Sequence, residues 1–520
     1  MLMVKKFPIG LSTLKDMRDG YYYVDKTPFV YTLANSGKYY FLSRPRRFGK
    51  SLLLDTIKQA FLGNQDVFND LYLEHHWDWS KKYPVIHIAF TSNQPNTINY
   101  GLEDKLKAQL QMNAENYGIS LRGESYSDQF GFLVKDLYIQ HQETGVVILI
   151  DEYDKPILDQ ILDPVLAGKN RDILRGFYSV IKEHDSKIQF AFLTGVSKFS
   201  KTGVFSGLNN LNDITYDTQY GTICGYTQQE LEDTFKPHLE ANDLPNIKAW
   251  YNGYYFLGHE GVYNPFSILS YFAKGKRFSN YWFTTGTPTF LINLIRERHF
   301  YIPQLEQFEV NEDDLDAFDI ETLPLPTLLL QTGYLTIASS QRRGAMMTYI
   351  LSYPNLEVRM SLNNRLSRMA VSDTVKSLTD SAINKALIGH DLTKLKEVLT
   401  SLFASIPHDW YRNNDIQHYE GFYCATVYTY LMGLGYQAIA EDVTSQGQID
   451  ITLIVDDHIV IIEFKLTTYG DAASAVEQIK RKRYAEKYLS LEKPIYLLGL
   501  SFNPDQRNVE DCVFEKSIAF

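Results

Sequence analysis

The chain has 520 residues, 44% of them hydrophobic and 22% charged, with a formal net charge of -11. That length predicts roughly two to four domains, and the acidic balance excludes a chain-wide basic field, so any nucleic-acid contact must come from local patches. Cys224, Cys424 and Cys512 give neither metal spacing nor a disulfide framework, and the sequence lacks a signal-peptide core or a run of ~18 apolar residues, so a soluble cytoplasmic protein with no membrane partner is expected.

The first half alternates strand-like and helix-like runs. "KYYFLS" (38–43) reads as a strand and "KSLLLDTIKQAFL" (50–62) as a helix. "YPVIHIAF" (83–90) is a second strand, followed by helical stretches over 97–116 and 126–141. "GVVILIDEYD" (145–154) is a buried apolar strand ending in carboxylates, and "SKIQFAFLTGVSK" (186–198) is another strand. This order predicts a mostly parallel, doubly wound α/β sheet over 1–225. Residues 226–395 read as helical, with a helix, a strand pair around "QRRG" and a second helix in 321–370 that resemble a winged-helix unit. From 396 the order is helix, two strands, helix, strand, as in a separate small α/β domain.

"RPRRFGKS" (44–51) lies between a strand and a helix. A phosphate loop needs backbone N–H groups at a helix N-terminus, a lysine for the β and γ phosphates, and a hydroxyl for Mg²⁺. Gly49, Lys50 and Ser51 supply the turn, the cation and the hydroxyl, although Arg44 stands where the common pattern has glycine. Asp151 ends a run of five apolar residues at the carboxyl edge of a sheet, where ligands bind. There it can hold Mg²⁺, while Glu152 can polarise an attacking water. Thr194, ending the next strand, is the expected γ-phosphate sensor, with Ser197 as the alternative.

"QIDITLIVDDHIVIIEFK" (448–465) reads as a hairpin turning at Asp456 and Asp457. If Val455 pairs with His458, Asp450 falls opposite Glu463, with Cβ atoms ~5 Å apart. Lys465 then points to the same face and Phe464 to the other. Opposed carboxylates repel unless a cation lies between them, and hard oxygen ligands suit Mg²⁺ or Mn²⁺. A lysine beside the metal can assist an attacking water and offset developing charge on phosphorus. Lys480, Arg481, Lys482 and Arg483 on the following helix suit contact with a phosphate backbone.

The words "YYYVDKT" (21–27), "YFLSRPRRFGKS" (40–51), "VVILIDEYDKP" (146–156) and "NPFSIL" (264–269) resemble the bacterial AAA-ATPase-like family, whose members often carry a C-terminal PD-(D/E)XK nuclease-like domain. The family's loop typically reads R-P-R-R-F-G-K-S, so the resemblance implies a nucleotide site with an altered loop. It also implies that Asp25 and Lys26 lie near the adenine base. Asp450, Glu463 and Lys465 match the D-x12-E-x-K spacing of the nuclease superfamily. Glu420 matches its extra acidic metal ligand, and Gln478, with Tyr484 beyond it, matches its Q-x5-Y position toward nucleic acid. The implied protein binds and hydrolyses ATP in a P-loop domain of AAA/ASCE type (1–225) and couples this to a Mg²⁺- or Mn²⁺-dependent nuclease domain of restriction-endonuclease type (396–520). DNA is the expected substrate, with RNA left open. The alternative is a nucleotide-dependent switch that binds nucleic acid or a protein without cutting. No arginine finger is evident, so homo-oligomerisation or a ligand is expected to complete the ATPase.

Overall fold

The computed structural model describes residues 5–90, 101–199, 203–240, 242–285, 291–292, 294–295, 298, 300–315, 324–370, 373–406 and 418–517. Its contacts divide the chain into two compact units, Met1–Phe290 with Gln307–Asn355, and Leu291–Glu306 with Leu356–Phe520.

The first unit is built on five parallel strands, β1 (Tyr39–Ser43), β2 (Val85–Ala89), β3 (Val146–Asp151), β4 (Ile188–Gly195) and the two-residue β5 (Asn212–Asp213), in the order β2-β3-β4-β1-β5. One strand, β4, therefore separates the strand entering the phosphate loop from the strand ending in Asp151. β1 and β3 are buried along their whole lengths, as continuous apolar runs covered on both faces should be. Helices Lys50–Phe61, Leu102–Asn116, Tyr126–Gln140 and Pro164–Glu183 connect them. The expected strands and helices are thus present, while residues 97–100 of one expected helix lie outside the described residues.

Helices Gln228–Phe235, Leu244–Tyr251 and Pro265–Ala273 gather around an aromatic core that includes Tyr22, Phe235, Tyr251, Tyr263 and Phe272. Helix Leu325–Thr332 precedes the hairpin of β7 (Thr336–Arg343) and β8 (Met346–Ser352), and β6 (Phe308–Asn311) pairs antiparallel with β8. The helix and hairpin belong to the first unit, whereas the helix after them, Leu356–Ala370, belongs to the second. Residues 321–323 of that segment lie outside the described residues.

In the second unit the strands β9 (Gln437–Thr444), β10 (Gly447–Ile454), β11 (Ile459–Leu466), β12 (Ile495–Asn503) and β13 (Asn508–Lys516) form one mixed sheet in the order β13-β12-β11-β10-β9. Only β11 and β12 run parallel. Helix Glu420–Gly433 precedes β9, and helix Ala472–Arg481 links β11 to β12. The hairpin register is the expected one, with Ile451 paired to Ile462 and the turn closed by Val455 N–H donating to His458 O at 2.9 Å. Two strands, β9 and β13, were not expected. Both are sheet edges whose solvent face carries charges, in "QAIAEDVT" and "NVEDCVFEK", so neither reads as an apolar run. The helix expected to carry Lys480–Arg483 ends at Arg481, and Tyr484–Leu491 is a 3-10 stretch. Arg483 takes a left-handed backbone (φ 53°), which turns Tyr484 and Tyr488 inward. Tyr484 Oη donates to Gln448 O at 2.9 Å, and Tyr488 Oη bonds to Asp442.

Candidate functional sites

The phosphate loop begins where β1 ends. Arg44 N–H donates to Gly195 O at 3.1 Å, which extends the strand pairing by one residue. The Arg44 side chain turns inward and is fully buried. Its guanidinium donates to the carbonyls of Ser43 (2.9 Å), Thr215 (2.7 Å) and Tyr220 (3.0 Å) and lies 4.0 Å from the Phe256 ring centre. Burial lowers its pKa to about 10. Arg44 is therefore a structural tie beneath the loop, and the chain makes its sharp turn later, at Gly49. Gly49 has φ 97°, a conformation that L side chains rarely adopt, and forms the N-cap of helix Lys50–Phe61. It has no side chain to cap that helix, which leaves first-turn N–H groups to an anion.

Lys50 is buried, and its Nζ donates to the loop carbonyls of Arg44 (2.8 Å) and Pro45 (3.0 Å). Burial lowers its pKa, opposed by the nearby Asp151 and Glu152. Ser51 Oγ donates to Asp151 Oδ2 at 2.6 Å, and Thr194 Oγ1 donates to Asp151 Oδ1 at 3.1 Å. One buried carboxylate thus joins the ends of β3 and β4 to the start of the loop helix. Glu152 follows on a left-handed backbone (φ 53°), half-buried, with its pKa raised first by burial and also by Asp151. These groups would hold Mg²⁺ and nucleotide phosphates, and the hydroxyl, carboxylate and lysine donors fit that role.

Other expected residues have protein partners. Ser197 is tied to Asp154, whose Oδ2 accepts from both its N–H and its Oγ at 2.6 Å. Lys26 Nζ pairs with Glu230 at 2.7 Å and donates to Thr222 O, and Asp25 accepts from the N–H groups of Thr27 and Tyr72. The loop is braced from later sequence, by Trp282 Nε1 on Arg46 O (3.0 Å) and Gly225 N on Phe48 O (3.2 Å).

The second cluster lies on the β10–β11 pair. Asp450 and Glu463 occupy the opposed position one step beyond the Ile451–Ile462 pair. Asp450 Oδ2 accepts from Phe464 N–H at 2.7 Å. Glu463 is 1% exposed; its Oε2 accepts from Gln478 Nε2 at 2.7 Å and lies 3.9 Å from Lys465 Nζ. Its Oε1 is buried without a partner among the described residues. Burial, then the neighbouring Asp450 carboxylate, raises the pKa of Glu463, and burial raises that of Asp450. Each carboxyl faces the other across the hairpin and Asp450 raises the pKa of Glu463, so a cation between them would relieve both charges. Glu420 opens its helix; burial raises its pKa, which Lys465 opposes and Asp450 reinforces. The donor atoms of Glu420, Asp450 and Glu463 do not all close to within 4.8 Å of one another as a trio.

Gln478 reaches Glu463 because of a close approach behind the sheet. Gly499 pairs with Glu463 in register, and a Cβ there would meet Ala472 O at 2.1 Å. Only glycine lets helix Ala472–Arg481 pack this near. Of the basic run, Lys480 pairs with Glu515 and Glu477, and Arg483 pairs with Glu486. Arg481 and Lys482 make no ion pair among the described residues. Glu441 was not anticipated. It lies in β9 between the pairs Ile449–Asp442 and Ile451–Ala440, across from Asp450, with φ 50°. Its charge adds to the upward shift of Asp450. The signal was a glutamate at the matching register of "QAIAEDVT", legible only once that segment is known to be a strand.

Residues 8–205 match the family model described as "Predicted AAA-ATPase", and residues 418–512 match that of the "PD-(D/E)XK nuclease superfamily". The chain is 44% identical over 514 residues to the "Uncharacterized protein in vnfD 5'region" of Azotobacter chroococcum mcd 1, covering 98% of this chain and 99% of the relative. No solved structure matches it. No helix among the described residues is long and apolar enough to cross a membrane. With an Asp–Ser–Thr constellation at a phosphate loop and opposed carboxylates on a hairpin both in place, the chain belongs to the family of AAA-ATPase-like proteins with a C-terminal PD-(D/E)XK nuclease superfamily domain.

Proposed function

We propose that the first unit binds and hydrolyses ATP and that this turnover gates a metal-dependent nuclease in the second unit, acting on phosphodiesters of nucleic acid, DNA first. The observation that carries the reading is the buried Glu463 opposite Asp450, with Lys465 and Gln478 both reaching its Oε2.

At the nuclease site Asp450, Glu463 and Glu420 would hold Mg²⁺ or Mn²⁺, which supplies a Lewis acid and a bound water of lowered pKa. Lys465 holds a positive charge beside the carboxylates, where it orients a nucleophilic water and offsets charge developing on phosphorus. Gln478 fixes the rotamer of Glu463. Arg481 and Lys482, unpaired among the described residues, offer charge to a phosphate backbone, with Lys480 and Arg483 able to exchange their surface carboxylates for it. At the nucleotide site Lys50 must leave the carbonyls of Arg44 and Pro45 to meet the β and γ phosphates. Ser51 and Asp151 would hold Mg²⁺, Glu152 orients the attacking water, and Thr194 reads the γ-phosphate through Asp151. The cysteines are free, in keeping with a reducing cytoplasm.

The test is incubation of the purified protein with plasmid DNA, single-stranded DNA and RNA, with Mg²⁺ or Mn²⁺, with and without ATP. Cleavage that requires the divalent ion and rises with ATP supports the reading. ATP binding without cleavage of any substrate replaces it with a nucleotide-dependent binding switch.

A further inference from the structure

At the far end of the same hairpin, a second group of ligand-type side chains converges from distant parts of the sequence. His390 follows helix Asp373–Ile388 and precedes helix Leu392–Ala404, on a left-handed backbone (φ 53°). Asp457 lies in the two-residue turn between β10 and β11, which His458 closes. His390 Nε2 lies 2.9 Å from Asp457 Oδ2, and His458 Nδ1 lies 2.7 Å from Asp457 Oδ1. The imidazole centres are 4.4 Å apart. One donor atom from each residue falls within 4.8 Å of the others, a convergence that the carboxylates at the other end of the hairpin do not reach as a trio.

Three features suit this group to a metal. Two imidazoles and a carboxylate are the donors preferred by borderline dications such as Zn²⁺ and Co²⁺, in contrast to the all-oxygen set suited to Mg²⁺. Tyr496 Oη lies 3.2 Å from His390 Nδ1, so a phenol holds the outer nitrogen of that ring, as outer-shell partners of metal-bound histidines do. His458 is fully buried with its Nδ1 turned to Asp457, so a donor nitrogen is held in place at the cluster by the surrounding fold. Asp457 is exposed, which gives an ion and its remaining water an open approach.

We propose that His390, Asp457 and His458 form a binding site for a borderline transition-metal dication of the Zn²⁺ class, distinct from the Asp450–Glu463 cluster. Asp457 is seven residues beyond Asp450, ~20 Å along an extended chain. The ion would tie the turn between two helices to the tip of the hairpin, so its role is to fix the sheet that carries the nuclease cluster.

The test uses the untagged full chain carrying Asp450→Asn and Glu463→Gln, which removes the other candidate site and makes the result independent of nuclease activity. The chelator-treated protein is titrated with Co²⁺ and Zn²⁺, followed by cobalt visible absorption and by calorimetry. One equivalent should bind with a tetrahedral cobalt spectrum. Adding His390→Ala, or separately Asp457→Asn, should weaken binding at least tenfold, while circular dichroism stays unchanged because both side chains are partly exposed. Failure to bind either ion, or affinity unaffected by both substitutions, would overturn the proposal and identify the group as a hydrogen-bonded clasp.

Discussion

Gln478 Nε2 donates to Glu463 Oε2 at 2.7 Å across the gap between a helix and the sheet it covers. The amide holds one oxygen of a buried carboxyl whose other oxygen has no partner among the described residues. On the proposed nuclease reading Gln478 is thereby a positioning residue. Gln478→Ala should lower cleavage and metal affinity ~10–100-fold, the usual effect of losing an outer-shell partner. Raised metal concentration should recover part of the activity. A purely phosphate-binding glutamine would instead raise the KM for nucleic acid and leave the metal titration unmoved.

The protonation of Glu463 makes stability depend on pH. Its folded pKa is raised above the ordinary 4.5, by burial first and by Asp450 second. Such a group contributes stability fully below 4.5 and loses it as pH rises through the raised folded value. In chelator, thermal unfolding of the wild type should therefore move to lower temperature between pH 5 and pH 8. Glu463→Gln should flatten this decline and be more stable at pH 8 by roughly 1–3 kcal/mol, the scale of an unmatched buried polar group. Saturating Mn²⁺ should stabilise the wild type and not the variant. An identical pH profile for both proteins would contradict a raised folded pKa at Glu463.

At the nucleotide site, Lys50→Ala should abolish ATP binding measured by calorimetry, because the buried Nζ is the cation poised at the loop. Glu152→Gln should retain binding and slow hydrolysis ~10²–10⁴-fold, the usual loss for a general base. Wild-type affinity in Lys50→Ala would place the nucleotide elsewhere.

Two loop arginines are already engaged, Arg44 with three carbonyls and Arg47 above the Phe266 ring at 5.2 Å. An arginine supplied in trans is typically worth ~10³–10⁵ in rate. The ATPase rate per chain should accordingly rise with protein concentration or with added DNA. A fast rate, constant down to dilute monomer, would show that the active site is complete within one chain.

The central strands were legible because burial on both faces demands continuous apolar runs, as in "VVILID". The hairpin register was legible because a two-residue turn fixes it, and Val455 and His458 close that turn as expected. Edge strands β9 and β13 were hidden by the charges that protect an exposed edge, and Glu441 was hidden with them. Arg44 shows a different limit. Its place in the motif showed only that the usual glycine is replaced, whereas its role is set by carbonyls at Thr215 and Tyr220, far away in sequence. The helix boundary at Arg481 was likewise decided by tertiary contacts of Tyr484 and Tyr488 that no local period encodes.

The account rests most heavily on the Asp450–Glu463–Lys465 cluster, and one comparison tests it directly. Nuclease activity is measured with Mg²⁺ or Mn²⁺ and ATP for wild type, Asp450→Asn and Lys465→Ala, alongside divalent-ion binding by calorimetry. Wild type should cut. Asp450→Asn should lose both metal binding and cleavage, while Lys465→Ala should keep the metal and lose most of the cleavage, because it removes help to the nucleophile and no ligand. Cleavage by Asp450→Asn at the wild-type rate would contradict the assignment of this cluster as the phosphodiester-cutting site.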